Sequence, residues 1–271
     1  GREIPVVTGQ ELPAKTRCAV IVGTIGQSRW IDGLIAAGKI DVSAIEGGWE
    51  RYAIRLVDRP GHGVRKALVI AGSDRRGTAY GLLSVSRVIG VSPWYWWADA
   101  PVKHRDRLTL RVEDFTSESP SVKYRGIFIN DEDWGLYRWA KENFEKELGN
   151  VGPKTYEKVC ELLLRLQANY LAPAMHDATT AFYKIPENKE IADRYAIAVG
   201  SSHCEPLGLN TASEWDSKTM GEWDYMNNRA GVDRVLKERV ETSAPYENVY
   251  TLALRGLHDR AMAGSEDLDA R

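Results

Sequence analysis

Hydrophobic positions along the chain follow two periods, and the alternation between them predicts the elements. "CAVIVGTIG" is a short apolar run ended by glycines, and "YAIRLV" and "KALVIAGS" read as strands. "RWIDGLIAAGKI" and "GTAYGLLSVSRVIG" instead carry apolar residues at helical spacing. The Pro and Gly of "DRPGHGVRK" predict a turn that joins two strands. Ser73 and Asp74 suit an N-cap for the helix that follows them, and Gly90 suits its stop. This is the pattern of a small N-terminal α/β domain, expected over residues 1–120. From about Trp94 to Ser121 it dissolves into a Trp-rich, Pro-bearing and charged linker with one strand-like piece, "RLTLRVE", and the domain boundary is expected there.

After residue 121 a cycle of apolar strand, polar segment and amphipathic helix repeats. "YRGIFI" reads as a buried strand and leads to "NDEDW", then to "GPKTYEKVCELLLRLQAN", where Val159, Leu162, Leu163 and Leu166 fall on one helical face. "YLAPAM" leads to His176 and Asp177, then to "NKEIADRYA". "IAVGSS" leads to "HCEPLGLN" and, after an insertion, "AGVDRVLKERVETS". "NVYTLALRG" leads to "LHDRAMAG". Successive βα cycles predict parallel strands, because parallel neighbours need a crossover. The polar residues all follow strands, where a (β/α)8 barrel or an open doubly wound sheet builds its site. Eight barrel strands need roughly 250 residues. Residues 121–271 are therefore expected to be the first half of a truncated TIM barrel, and the chain a fragment.

Composition narrows the function. Thirty-six basic against 38 acidic residues give a net charge of −2, so no long-range field draws in nucleic acid or an anionic membrane. No apolar run reaches the length of a membrane helix, and "GREIPVVTGQ" has no signal-peptide profile, which fits a cytosolic chain or one whose true start lies upstream. Cys18, Cys160 and Cys204 are scattered, with no CxxC spacing, so neither a disulfide framework nor a zinc site is implied. Nine tryptophans stand out, Trp94, Trp96 and Trp97 among them. Aromatic packing between domains accounts for that trio more simply than sugar stacking.

Three groups carry chemistry. Asn130, Asp131, Glu132 and Asp133 crowd behind "GIFI" with Trp134 next to them. They suit a divalent cation, a sugar hydroxyl, general acid–base work or merely a solvated loop. His203 and Glu205 lie two apart, which in an extended segment turns both to one side; a structural histidine with a loop glutamate is the plain alternative. Metal binding needs a third ligand, for which His176 or Asp177 is available, and nothing resembles HExxH. Arg255, His258 and Asp259 follow the fourth strand. A guanidinium fork suits a uronate carboxylate or an internal salt bridge. No GxSxG elbow and no Walker loop is present, so acyl and phosphoryl transfer lose ground.

"AGSDRRGTAYGLLSVSRVIGVSPWYWWADAPV", "KYRGIFINDEDWGL", "ANYLAPAM", "IADRYAIAVGSSHCEP" and "NVYTLALRGLHDRAM" together resemble glycoside hydrolase family 115, the xylan α-glucuronidases, over nearly the whole chain. The resemblance implies an inverting hydrolase that removes (4-O-methyl-)glucuronic acid α-1,2-linked to xylose in glucuronoxylan or aldouronic acids. It implies no cofactor, an extracellular or periplasmic location, further barrel strands, and C-terminal domains through which a homodimer forms. Part of the α/β domain, and often a signal peptide, would precede this sequence. Asp131 and Asp259 best match the family's strand-end acids, with at least one further catalytic carboxylate expected on later strands. Asn130, Asp133, Trp134, His203, Glu205 and Arg255 are then expected to bind substrate, Arg255 through the uronate carboxylate. The chain departs from the family at "APAMHD", where aromatics are usual, at Cys204, where a second histidine is usual, and in the loop after residue 177. The alternatives are a non-catalytic or degenerate carbohydrate-binding protein, a neighbouring hydrolase such as an N-acetylhexosaminidase, and, last, a metal-dependent hydrolase.

Overall fold

The computed structural model describes residues 4–9, 15–202, 205–253, 255–257 and 260–262. The chain divides into two compact units, Gly1–Lys123 with Leu164–Gln167, and Tyr124–Leu163 with Ala168–Arg271.

In the first unit, β1 (Cys18–Thr24) lies parallel to β3 (Val64–Gly72), and β2 (Tyr52–Gly61) lies antiparallel to both β3 and β4 (Phe115–Thr116), giving the order β1-β3-β2-β4. The turn expected in "DRPGHGVRK" is the tip of the β2–β3 hairpin. There Arg59 and His62 take the left-handed backbone beside Gly61 and Gly63. Helix α1 (Arg29–Ala36) buries Ile31 and Leu34 in a core with Ile21, Val57, Ala67 and Val69, as its apolar spacing requires. Helix α2 (Arg75–Val88) starts where expected. The Asp74 carboxylate accepts from the Gly77 N–H at 2.7 Å and from the Glu50 N–H at 2.7 Å. Gly77 is dictated by closeness, since a Cβ there would meet the Arg51 carbonyl oxygen at 2.2 Å. "RLTLRVE" forms no strand. Its residues are mostly exposed, so its alternation has no face to bury, and only the two residues of β4 pair.

The second unit contains three parallel strands, β5 (Gly126–Phe128), β6 (Tyr170–Ala172) and β7 (Ala198–Val199), in that order. The helices of this half are α3 (Leu136–Trp139), α4 (Pro153–Arg165), α5 (Pro186–Arg194), α6 (Thr211–Glu214), α7 (Ser217–Met220) and α8 (Arg229–Ser243). The three helical segments expected after residue 121 appear as α4, α5 and α8, joined by the short α3, α6 and α7, and the strands are indeed parallel. Among the described residues the fourth expected strand shows one parallel bridge, Val199 with Asn248. There the Val199 N–H donates to Glu247 O at 3.0 Å and the Val249 N–H donates to Val199 O at 2.9 Å.

Two expectations on burial are corrected. "GIFI" does not read out as a buried strand: Ile127 and Phe128 are each 38% exposed and only Ile129 is buried. The strand lies at an edge of its sheet and pairs with β6 alone among the described residues. Val159, Leu162 and Leu163 are buried as their spacing predicts, but Leu166 is exposed, because α4 ends at Arg165 and Gln167 turns into the left-handed region.

The buried Glu145 fixes the start of α4. Its Oε2 accepts from the N–H groups of Gly152 and Thr155, each at 2.9 Å, and from the Thr155 hydroxyl; its Oε1 accepts from the Lys154 N–H at 3.0 Å. One carboxylate thus answers the open donors of a helix N-terminus and complements its dipole. Replacing it leaves several buried donors unanswered. Glu145→Ala is therefore expected to cost about 3 kcal/mol, read from urea unfolding, with Glu145→Gln, which keeps one acceptor oxygen, losing less. A loss no larger than that of the exposed control Glu147→Ala contradicts this assignment.

Candidate functional site

The polar loops after β5, β6 and β7 all belong to the second unit, so their relation follows from the parallel order of those strands. After β5 the chain reaches Asp131 in the left-handed backbone (φ 52°, ψ 33°) and turns into a short 3-10 segment, Glu132–Trp134. For a non-glycine residue this conformation carries a cost, more tolerable for Asp than for most. The turn sends four neighbouring side chains to different environments. Asn130 is exposed and its amide donates to Asp131 Oδ2 at 3.2 Å. Asp131 is largely exposed, and Asp133 is partly buried. Trp134 is 82% exposed, so it is a free aromatic face and not the anchor of its loop.

Glu132 is 2% exposed. Its Oε1 accepts from the His176 backbone N–H at 2.6 Å, which ties the loop after β5 to the loop after β6. Its Oε2 is buried and takes no hydrogen bond from the described residues. The His176 ring lies between two carboxylates, Nδ1 3.0 Å from Asp133 Oδ1 and Nε2 3.6 Å from Asp131 Oδ1. An imidazole set between two carboxylates is the kind of grouping that general acid–base chemistry uses.

Glu205 follows β7 and is 6% exposed. Burial pushes its carboxyl up to about 8; the Arg255 charge pulls it back, and Glu214 and Glu132 push it further. Its backbone is pinned: its N–H donates to Ser202 O at 3.1 Å, and its carbonyl accepts from the Ser201 hydroxyl at 3.0 Å. Arg255 is itself buried, and its carbonyl accepts from the Trp223 indole N–H at 2.6 Å. Behind them Arg239 pairs with Glu214 and lies 4.2 Å from the centroid of the Tyr183 ring. A carboxyl that stays protonated at neutral pH is a donor of protons, and here it lies within the fields of a guanidinium and a second buried acid.

The structure therefore brings Asn130, Asp131, Asp133 and Trp134 together on one loop, and sets Glu205 within the fields of Arg255 and Glu132. His203 and Asp259 lie outside the described residues, as does His258. Of the segment expected to be extended, residues 203–205, only Glu205 is described; its backbone is extended (φ −62°, ψ 114°) and leads into a 3-10 turn at Pro206. Sequence reasoning passed over the two groups that knit the site. Glu132 looked no different from its acidic neighbours, and His176 was considered only as a metal ligand. Among the described residues no group of three His, Cys, Asp or Glu side chains is placed to hold a metal ion, and no helix is long and apolar enough to cross a membrane.

Parallel strands whose following loops gather acids, a histidine and an arginine define an α/β protein with a carboxyl-based site. The chain belongs to glycosyl hydrolase family 115, whose model matches residues 117–270. Among solved structures it is similar to a family GH115 4-O-methyl-alpha-glucuronidase, BtGH115A, with specificity for decorated arabinogalactans. That likeness has 44% sequence identity and a TM-score of 0.81, and it covers 93% of this chain and 32% of the other, so this chain spans about a third of that protein's length. Among curated proteins nothing matches.

The pKa of Glu205 has a consequence for stability. Its folded value of about 8 lies above the reference 4.5, so its contribution is fully present below about 4.5 and is lost as pH rises through about 8. Glu205→Gln is expected to remove that part of the decline, so the stability of the variant gains on the parent's from pH 5 to pH 9 in a series of urea titrations. Parallel curves for the two proteins contradict the burial of this acid.

Proposed function

We propose that this sequence forms part of a glycoside hydrolase that releases (4-O-methyl-)glucuronic acid from a decorated plant polysaccharide. The observation that carries the reading is the buried Glu205 carboxyl, raised to about 8 beside Arg255. Family membership supports glycoside hydrolysis, and the parallel order β5-β6-β7 with Asn248 next to β7 supports the first strands of a (β/α)8 barrel in residues 121–271. Residues 1–120 are the preceding α/β domain in this reading.

Glu205 donates the proton to the leaving oxygen, and Arg255 pairs with the uronate carboxylate. The base that activates water is one of the sequence-expected acids, Asp131 or Asp259, set about 6.5–9.5 Å from the donor in an inverting reaction. Asn130, Asp133, Trp134 and His203 contact sugar hydroxyls and ring faces, and His176 holds Asp131 and Asp133 in place. No cofactor takes part. The substrate is α-1,2-linked uronate on glucuronoxylan or aldouronic acids, and the enzyme works outside the cytoplasm. Decorated arabinogalactan is the second reading, favoured by the specificity of BtGH115A. The homodimer expected through C-terminal domains belongs to this proposal as well.

The test is release of free uronate from aldouronic acids and from decorated arabinogalactan oligosaccharides in parallel, with the first-formed anomer identified by proton NMR. We expect uronate release with inversion and a kcat/KM that falls as pH rises through about 8. Glu205→Gln is expected to lower the rate by at least about 100-fold while uronate still binds. Saturable binding of these sugars without any release would replace the hydrolase by the carbohydrate-binding reading.

A further inference from the structure

We propose that the first unit carries a saccharide site of its own, a cleft between α1 and the β2–β3 hairpin that takes a sugar bearing a carboxylate. The cleft holds about 280 Å³ and is lined by Arg29, Trp30 and Leu34 from the helix side and by Pro60 and His62 from the hairpin. That volume is at the lower end for ligand pockets and suits one or two sugar rings.

Its chemistry selects the occupant. Trp30 is only half-buried, so part of the indole is open to the cleft, where the C–H face of a pyranose packs well. The His62 ring stands 4.6 Å from the Trp30 ring, tilted by 56°. The hairpin tip that presents it takes the left-handed backbone at His62 (φ 51°), an unfavourable conformation for a residue with a side chain. Among the described residues Arg29 has no ion pair and no side-chain hydrogen bond, and no Asp or Glu lines the cleft. A guanidinium without an internal acid matches a ligand carboxylate through two parallel hydrogen bonds. Two glycines leave the room: a Cβ added at Gly33 or Gly61, both on the cleft wall, would meet nothing within 4 Å. An aromatic wall with one unmatched cation accounts for a uronate better than for a neutral sugar, which leaves Arg29 unused, or for a bare phosphate, which leaves Trp30 unused.

This site goes beyond the hydrolytic reading, which concerns the second unit alone. The experiment is a proton–nitrogen NMR titration of the full chain with D-glucuronate, D-glucose and inorganic phosphate. We expect saturable shifts of the Trp30 indole N–H and of the Gly33 and Gly61 amides with glucuronate, and binding about tenfold weaker with glucose. Arg29→Gln is expected to bring the two sugars to the same affinity. Gly33→Leu, which adds its side chain where space is open and removes a helical glycine, is expected to fold and to abolish the shifts. Neither variant is expected to change uronate release from a small soluble substrate, so failure here and failure of the hydrolase reading are read separately. Equal binding of glucuronate and phosphate, unchanged titration of Gly33→Leu, or no shift with any probe overturns the proposal.

Discussion

The Glu132 carboxylate, buried and tied to the His176 backbone N–H, is the contact on which the arrangement of the acidic site depends. Parallel strands leave their following loops side by side, but nothing in strand pairing alone fixes how those loops meet. This hydrogen bond does so for the first two, and it places the His176 ring where Asp131 and Asp133 both reach it. It also carries an electrostatic consequence. A carboxylate held away from water, with one oxygen unanswered among the described residues, raises the cost of ionising any acid nearby, and Glu205 registers that influence. The opposing pull of Arg255 and Arg239 keeps Glu205 within the range where it can give up a proton at all.

The opposite ends of the strands show the contrasting use of polar groups. The side chain of Asn169, fully buried before β6, accepts from the Arg125 N–H at 2.8 Å, and its own N–H donates to Arg125 O at 2.8 Å. That two-way exchange fixes the pairing of β5 with β6 before the strands begin. Gly126 then allows the closest approach, since a Cβ there would lie 1.8 Å from the Tyr170 carbonyl oxygen. Polar groups at the start of the strands are thus fully answered and set the frame, whereas those at the far end are left partly unmatched. Rigid entry and reactive exit is the division of labour expected of parallel βα units.

Much of this was legible in the chain. Regular alternation of apolar runs with amphipathic stretches gave away parallel strands and crossovers, and Asp74 and Gly90 marked the ends of α2, because capping is local chemistry. Expectations failed where burial depends on distant neighbours. "GIFI" is as apolar as a core strand yet exposes Ile127 and Phe128 at a sheet edge. "RLTLRVE" alternates but finds no surface to cover, and "NVYTLALRG" contributes one bridge, with Leu252 exposed. For the site, the cluster at residues 130–134 was visible as a concentration of acids, but which acid turns inward was not. That choice is made by the left-handed turn at Asp131, a conformation that no spacing rule reads from Asn-Asp-Glu-Asp. The loop Glu205 gave no sign of its raised carboxyl, since that is set by burial and by charges as far along the chain as Arg239 and Arg255.

The two units bury charge in different ways, and the difference bears on where chemistry is to be sought. In the first unit Glu50 and Arg76 form a buried pair at 2.7 Å, with the Trp49 ring 4.7 Å from the guanidinium, and Asp74 is spent on two backbone donors. Each of those charges meets its opposite or a donor, which is what a buried ion requires if it is only to hold a fold together. In the second unit Glu145 is answered in the same complete way, but one oxygen of the buried Glu132 is not, and within its influence burial pushes the Glu205 carboxyl up to about 8. A fold that needed only stability would replace such a pair with apolar side chains, because a partly matched polar network is worse than none. This contrast within a single chain is the physical support for the proposal that proton transfer takes place at Glu205 and not at the more conspicuous acids on the exposed turn.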